Sequence, residues 1–493
     1  MHRLVFLFCA TFFSVVASAF SQDAASLPNE TPAVSESLDY QSPDVSKQVG
    51  ASYSATKEVT QISLKTGADV SRWWSQIVVD DPVLARLTRE AVSHNLTLHE
   101  ALINVQAARA KSEQTKQELA FAQSSAQVGR ASTFAPEVLE LQVEIATTEL
   151  NRRRELYRDA YVNLVADVAE AYIVARSRQE QIRGAQILLL FQERDVAATR
   201  SYADAGTSTP AAVYRALVPT RETQTSLAGL KTQYKQTLNR LCALLGRPAG
   251  DDYVDSLMLD DRALPTKEDL DAFTNGDQDK FGGVIAVWLT GSRVPKAPQE
   301  LCVGVPADLL RRRPDLRASE QRVAALTARV ALATLEARRN AQKTQSGAAP
   351  VTLQTVGDQF KVEAAGFEKE AADAQYRALV LEAQREVEDA LALYVGEQEK
   401  LNLLGDAVES TTQALQFASR AREVGARSIS DAVSAEKKRL ETLAFQIVES
   451  ETQRALAVVA LYRALGGDWD APSTESVEEA APENGSEAAS EAK

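Results

Sequence analysis

Little in this chain interrupts a helix or furnishes active-site chemistry. Its 493 residues hold only 22 glycines and 16 prolines, aromatics make up 6 %, and there are three cysteines and three histidines. Cys9 sits in a leading apolar run, which leaves Cys242 and Cys302. Two thiols cannot build a disulfide framework; they fit a dispensable pair or two buried thiols, and inert thiols are the expectation. His94 and His99 are five apart and so on different sides of a helix, which argues against a metal site and a histidine-based triad. No nucleophile, base and cofactor loop occur together, so neither an enzyme nor a cofactor is expected. Basic charge is short as well: 54 Lys and Arg against 68 Asp and Glu leave a net charge of −14, whereas nucleic acid needs clustered cations. The apolar run Leu4–Phe13 falls short of the about 20 residues of a membrane span. Preceded by His2 and Arg3 and followed by small residues around Val16–Gln22, it reads as an export signal, residues 1–21, cleaved near positions 19–22.

What is abundant is Ala, Leu, Glu, Gln and Arg, the composition of long helices and coiled coils. After a polar leader, 22–70, Asp80-Asp81-Pro82 starts a helix carrying Leu84, Leu87, Ala91 and Val92, which restarts at Thr97 toward Glu118. Trp73 and Trp74 before it fit a hydrophobic staple or a packing role of their own. From Glu137 to Tyr202 there is no Pro and one Gly, and Val165, Val168, Tyr172, Ala175, Ile182 and Leu189 form a heptad seam. Such a helix extends roughly 100 Å, too far for a globular core to cover. Gly206-Thr207-Ser208-Thr209-Pro210 reverses the chain, and a second helix returns from Ala211 to Leu245 before Gly246-Arg247-Pro248.

The design recurs downstream. Tyr172 has its counterpart at Tyr394, Gly206 at Gly425 and Gly246 at Gly466, with offsets of 222, 219 and 220 residues, which indicates a duplicated unit. The second unit runs from Pro314 to about Lys343, resumes near Gln359 toward Arg422, and returns after Gly425 to Leu465, with a seam of Val387, Leu391, Tyr394, Leu401 and Val408. The fold class is mainly α, a tandem repeat of long helical hairpins. Neither hairpin can bury its apolar stripes alone, and lateral association into a closed ring satisfies both.

The second copy opens on Val303-Gly304-Val305-Pro306-Ala307-Asp308-Leu309-Leu310-Arg311-Arg312-Arg313-Pro314-Asp315-Leu316-Arg317. With Glu386–Leu391, Ala421–Gly425 and the paired tryptophans before an Asp-Pro helix start, this block resembles the signature of the outer-membrane efflux proteins, TolC-like exit ducts of RND-type tripartite pumps, in particular their NodT-type branch. The resemblance spans Trp73 to Trp469. It implies a homotrimer whose tandem hairpins form a tapering α-barrel tunnel with a small mixed equatorial connector. It also implies a periplasmic adaptor and an inner-membrane pump as partners, and a place in the cell envelope, at the outer membrane facing the periplasm. Cys9 lies inside the apolar run, so the lipid-anchored start common in that branch is not expected.

In that family each repeat also carries a β-hairpin, pooled into an outer-membrane barrel, and each membrane strand takes about 9 to 11 residues. Here nine residues lie between Ala126 and Pro136, and fourteen between Gln345 and Phe360, of which only Val351–Val356 reads as strand. Barrel strands are therefore expected to be short or absent. Two readings stay open: the outer-membrane channel component of an efflux system, passing small molecules and touching the membrane at one end, or a barrel-less periplasmic scaffold or regulatory paralogue that binds adaptors without conducting.

The chain thus divides into a signal (1–21), a leader (22–70), a first repeat (71–248), a connector (249–302), a second repeat (303–468) and an acidic, disordered tail (469–493). In the connector, Asp251, Asp252, Asp255, Asp260 and Asp261 read as a solvated turn, and Gly283–Leu289 as a short buried strand. Arg311, Arg312 and Arg313 pair with Glu320 or solvent beside a helix initiated by Pro314 and Asp315, or grip a carboxylate-bearing neighbour. Gly206 and Gly425 stand at helix reversals, and with Thr207, Ser208, Ala426 and Ser428 they leave room for a partner's helical hairpin. The resemblance implies an entrance gate at Arg427 and Asp431, with Asp204 as a substitute in the first turn, because Ala212 and Ser434 stand where the family has acids. An ordinary exposed i to i+4 pair is the alternative for Arg427 and Asp431.

Overall fold

The computed structural model describes residues 62–63, 81–127, 136–260, 262–264, 285, 288–289, 291–298, 301–302, 312–345, 353–423 and 430–467. All belong to one unit, Val45–Lys493. The expected signal and leader up to residue 61, Trp73 and Trp74, Pro306–Arg311, residues 424–429 and the tail from 469 lie outside the described residues.

Asp81 caps the first helix, α1 (Pro82–His94), accepting hydrogen bonds from the backbone of Val83 and Leu84 at 3.0 and 3.2 Å, while Pro82 sets its first turn. Leu84, Leu87 and Ala91 form its buried face. Asn95 breaks the chain and starts α2 (Leu96–Gln127): its side chain accepts from Leu98 N at 2.9 Å and donates to the carbonyl of Leu244 at 2.9 Å. The helix expected from Thr97 to Glu118 therefore runs about two turns further.

The long helix α3 (Pro136–Asp204) is continuous over 69 residues, and Val165, Val168, Tyr172 and Ala175 of the expected seam are buried. α4 (Pro210–Leu244) returns, tolerating Pro219, and stops at Gly246, whose φ of +67° suits glycine. α5 (Asp252–Leu257) opens the connector. The second unit comprises α6 (Pro314–Gln345), α7 (Leu353–Glu423, 71 residues) and α8 (Ser430–Ala464), the last stopping at Gly466 with φ +85°. The only strands among the described residues, β1 (Ile62–Ser63) and β2 (Leu301–Cys302), pair in parallel and join the leader to the connector.

Two expected strands are helical where they are described. Leu353–Val356 forms the first turn of α7, which starts before Gln359. α7 packs on α6 close to its start, where Asp358 is buried and accepts from Asn340 at 2.8 Å, and this tertiary contact overrides the β-branched run. In the connector, Ile285, Trp288 and Leu289 are helical, with Ile285 and Trp288 buried against α3 and α8 residues. A short apolar run does not distinguish the two states.

α3 packs on α2, α4, α6 and α8, and α7 packs on α6 and α8. Over one half of α3 the helices follow the order α2–α3–α6–α7, and over the other half α4–α3–α8–α7. The halves meet in a shared core containing Tyr172, Leu241, Leu245, Leu391, Leu461 and Leu465. No described helix is long and apolar enough to cross a membrane.

Candidate functional site

The strip of helices has two open edges. α7 forms one, and on it Phe360, Phe367, Leu381, Leu403 and Phe417 are 60–68 % exposed. Their separations of 7, 14, 22 and 14 residues keep them on one stripe about 85 Å long, opposite the buried Val380, Val387, Leu391 and Tyr394. α2 and α4 form the other edge, with Leu96, Ile103 and Phe121 exposed on α2 and Tyr214 and Val218 on α4. The levels correspond: Phe121 and Phe360 each stand about two turns from one end, and Val218 and Phe417 about two turns from the other.

The described tip, between α3 and α4, is exposed and built from backbone. Gly206 has φ +75° and donates to Ala203 O at 3.0 Å, while Thr207 and Ser208 donate their N–H groups to Tyr202 O at 3.0 and 3.1 Å. The Thr207 hydroxyl adds a bond to the same carbonyl at 2.9 Å. Tyr202 and Tyr214 flank the turn and are exposed. Asp204 is exposed at the C-terminal end of α3, where a carboxylate opposes the helix dipole, so helix stability does not account for it. Of the second tip, Gly425, Ala426, Arg427 and Ser428 lie outside the described residues, and Asp431 is described only as part of α8.

Between α3 and α8 runs the seam that joins the two repeats. Burial pushes Glu441 of α8 up to about 7, reinforced by Asp195 of α3 and opposed by Lys437 and Lys438. Further along, Thr452 donates to Ser177 at 2.8 Å in a buried hydroxyl pair. At the far end Asp159 is raised to about 6 by burial and by Asp315, against the pull of Arg313. It lines a cavity of about 210 Å³ with Arg313, Asp315, Glu386 and Arg463.

The connector straps this seam. Glu180 of α3 is fully buried and receives Arg262 at 2.6 Å and the backbone N–H of Arg293 at 2.8 Å. Arg262 also holds Asp260, lowering its carboxyl to about 2. Trp288 covers Gly184, the single glycine of α3, and meets Phe445 of α8 edge-on with centroids 5.1 Å apart. The acidic turn is answered by cations, Asp251 by Arg247 at 3.1 Å and Asp255 by Lys235 at 3.0 Å, and no metal-holding cluster occurs among the described residues.

Of the signature, Arg312 to Arg317 are described, and Arg313 departs from the expected surface role. It is buried, pairs with Asp315 at 2.8 Å and Glu386 at 2.7 Å, and donates to Ala464 O at 2.9 Å, binding three helices of the second repeat. Glu320 instead accepts from Tyr376 at 2.8 Å. Cys242 is a free, buried thiol, as expected. The pseudo-equivalent tyrosines hold equivalent strands of chain: Tyr172 donates to Asp81 at 2.6 Å, Tyr394 to the carbonyl of Pro298, and each ring carries an arginine, Arg176 or Arg454.

Comparison with known proteins agrees with this architecture. Residues 137–247, nearly all of α3 and α4, match the family described as outer membrane efflux protein. The chain is 24 % identical to outer membrane protein OprJ of Pseudomonas aeruginosa, over 80 % of this chain and 86 % of that one. It is 26 % identical to the toluene efflux pump outer membrane protein TtgF of Pseudomonas putida, over 88 % and 93 %. The fold is similar to that of the outer-membrane channel OprN, with a TM-score of 0.67 and 22 % identity, covering 87 % of this chain and 98 % of that one. In the sequence of its α3–α4 arm and in its tandem helical hairpins, the chain is thus similar to the outer membrane efflux proteins.

Proposed function

We propose that the chain is the outer-membrane component of an RND-type tripartite efflux system, passing small molecules through a tunnel made by three copies of itself. The carrying observation is the pair of complementary open edges. Among the described residues the apolar stripe of α7 is left exposed, while α2 and α4 of a neighbouring copy would offer apolar residues at the same levels. The two edges differ, so each contact is head to tail, and such contacts make a ring when the rotation closes. OprJ and TtgF, outer membrane proteins by name, TtgF that of a toluene efflux pump, support the assignment.

In this reading the end bearing Gly206, Thr207 and Ser208, with Gly425, Ala426 and Ser428 in the second turn, receives the periplasmic adaptor that links the ring to the inner-membrane pump. Asp204, Arg427 and Asp431 furnish the entrance, and the unfavourable helix-end position of Asp204 supports a role beyond stability. Of the signature residues Pro306 to Asp315, Arg313 and Asp315 tie the second repeat together, with Arg313 as its buried centre.

The test is a cysteine pair, Val218→Cys with Phe417→Cys, in the exported full chain. Oxidation is expected to give dimer and trimer bands, and each single variant dimers at most in trace amounts. Leu403→Glu, which charges the stripe, is expected to leave the helical content intact and convert the ring to monomer in light scattering. Monomers alone from the oxidised pair, with an unaltered Leu403→Glu assembly, overturn the ring.

A further inference from the structure

We propose that the end of the ring opposite the adaptor tips stays in water, so that this chain reaches the outer membrane without crossing it. The inference rests on the reading just given for which end meets the adaptor. At the other end α2 runs to Gln127 and α3 begins at Pro136, while α6 runs to Gln345 and α7 begins at Leu353. The links are residues 128–135 and 346–352, eight and seven residues long. Fully extended, eight residues reach about 28 Å, and a link that leaves and returns on the same side covers about half of that each way. A barrel wall presents an apolar band about 25 Å tall, and each strand in it takes about 9 to 11 residues.

The return to the same side is fixed by the helices. Ser112 of α2 lies 3.4 Å from Thr147 of α3, 15 and 11 residues from the linked helix ends, and Asn340 of α6 reaches Asp358 of α7 at 2.8 Å, with both of these residues five from the linked ends. Both pairs are side by side, so each link leaves and returns on the same side. The helix ends are polar: Ser124, Glu137, Glu140, Gln342, Gln359 and Lys361 are exposed there. A rim of carboxylates, amides and an ammonium group is expensive to sink into hydrocarbon. The nearest exposed aromatics, Phe121 and Phe360, sit on the lateral edges, which the proposed ring buries between copies.

The full chain, produced with its export signal in a Gram-negative host, tests this. Alkaline carbonate is expected to release it from washed envelopes, and preparation without detergent is expected to give a species of three copies by light scattering. Retention in the carbonate-washed membrane, or dependence on detergent together with unitary currents in planar lipid bilayers, overturns the inference. A carbonate-released chain that is monomeric without detergent leaves the inference standing and counts against the ring, so the two failures are distinguishable.

Discussion

The indole of Trp288 lies on the bare backbone of Gly184, in the space where any other residue would carry its Cβ. This contact sets the closest approach between connector and α3, and through Phe445 it reaches α8 as well. Gly184→Ala is expected to destabilise the chain by about 1–3 kcal/mol, since the indole must move. Trp288→Ala, which leaves a cavity instead, costs about 3–5 kcal/mol. Chemical denaturation measures both. Equal stability of Gly184→Ala and parent would show that the strap is loose.

Glu180 and Arg262 make a buried pair at 2.6 Å, with Glu180 fully enclosed. Removing one partner strands the other, so Glu180→Ala is expected to cost on the order of 3 kcal/mol. The double variant Glu180→Ala/Arg262→Ala is expected to be less destabilised than the two single losses added together. A strictly additive cycle would mean that the connector is held by its apolar contacts alone.

Glu441 gives the seam a pH dependence. Its carboxyl stands at about 7 in the folded chain against an ordinary 4.5, because burial penalises the charge and Asp195 faces it. The folded state therefore holds a proton in that window that the unfolded chain releases. Stability from this group is fully present below pH 4.5, falls as pH rises toward about 7, and is level above. Glu441→Gln imitates the protonated form, and is expected to exceed the parent at about pH 8 by on the order of 1–3 kcal/mol and to match it at about pH 4.5. Asp159, raised to about 6, adds to the trend in the same direction. Unfolding midpoints of parent and variant that differ by the same amount at both pH values would remove Glu441 as the cause.

Much of the architecture was legible because it is local and periodic. The seam at Val165, Val168, Tyr172 and Ala175 and the reversals at Gly206 and Gly246 need only neighbours within a few turns. Short apolar runs were not legible: Gly283–Leu289 and Val351–Val356 match strand and buried helix equally, and only packing on α3, α8 and α6 decides between them. Burial of single charges was also beyond reach. Arg313 meets Glu386 across 73 residues and Arg262 meets Glu180 across 82, distances over which no local pattern operates. Gly184 was the readable exception, since a lone glycine inside a long helix marks a close approach. Nothing in the spacing named Trp288 as what approaches.

On the ring proposed above, the stripe of Phe360, Phe367, Leu381, Leu403 and Phe417 also has a history before assembly. A newly delivered single copy displays it to water along about 85 Å, a greasy flank that any other unfolded or half-built chain can also adhere to. Correct pairing is thus a race against indiscriminate sticking, won by supply of sister copies or by an escort that shields the flank until they arrive.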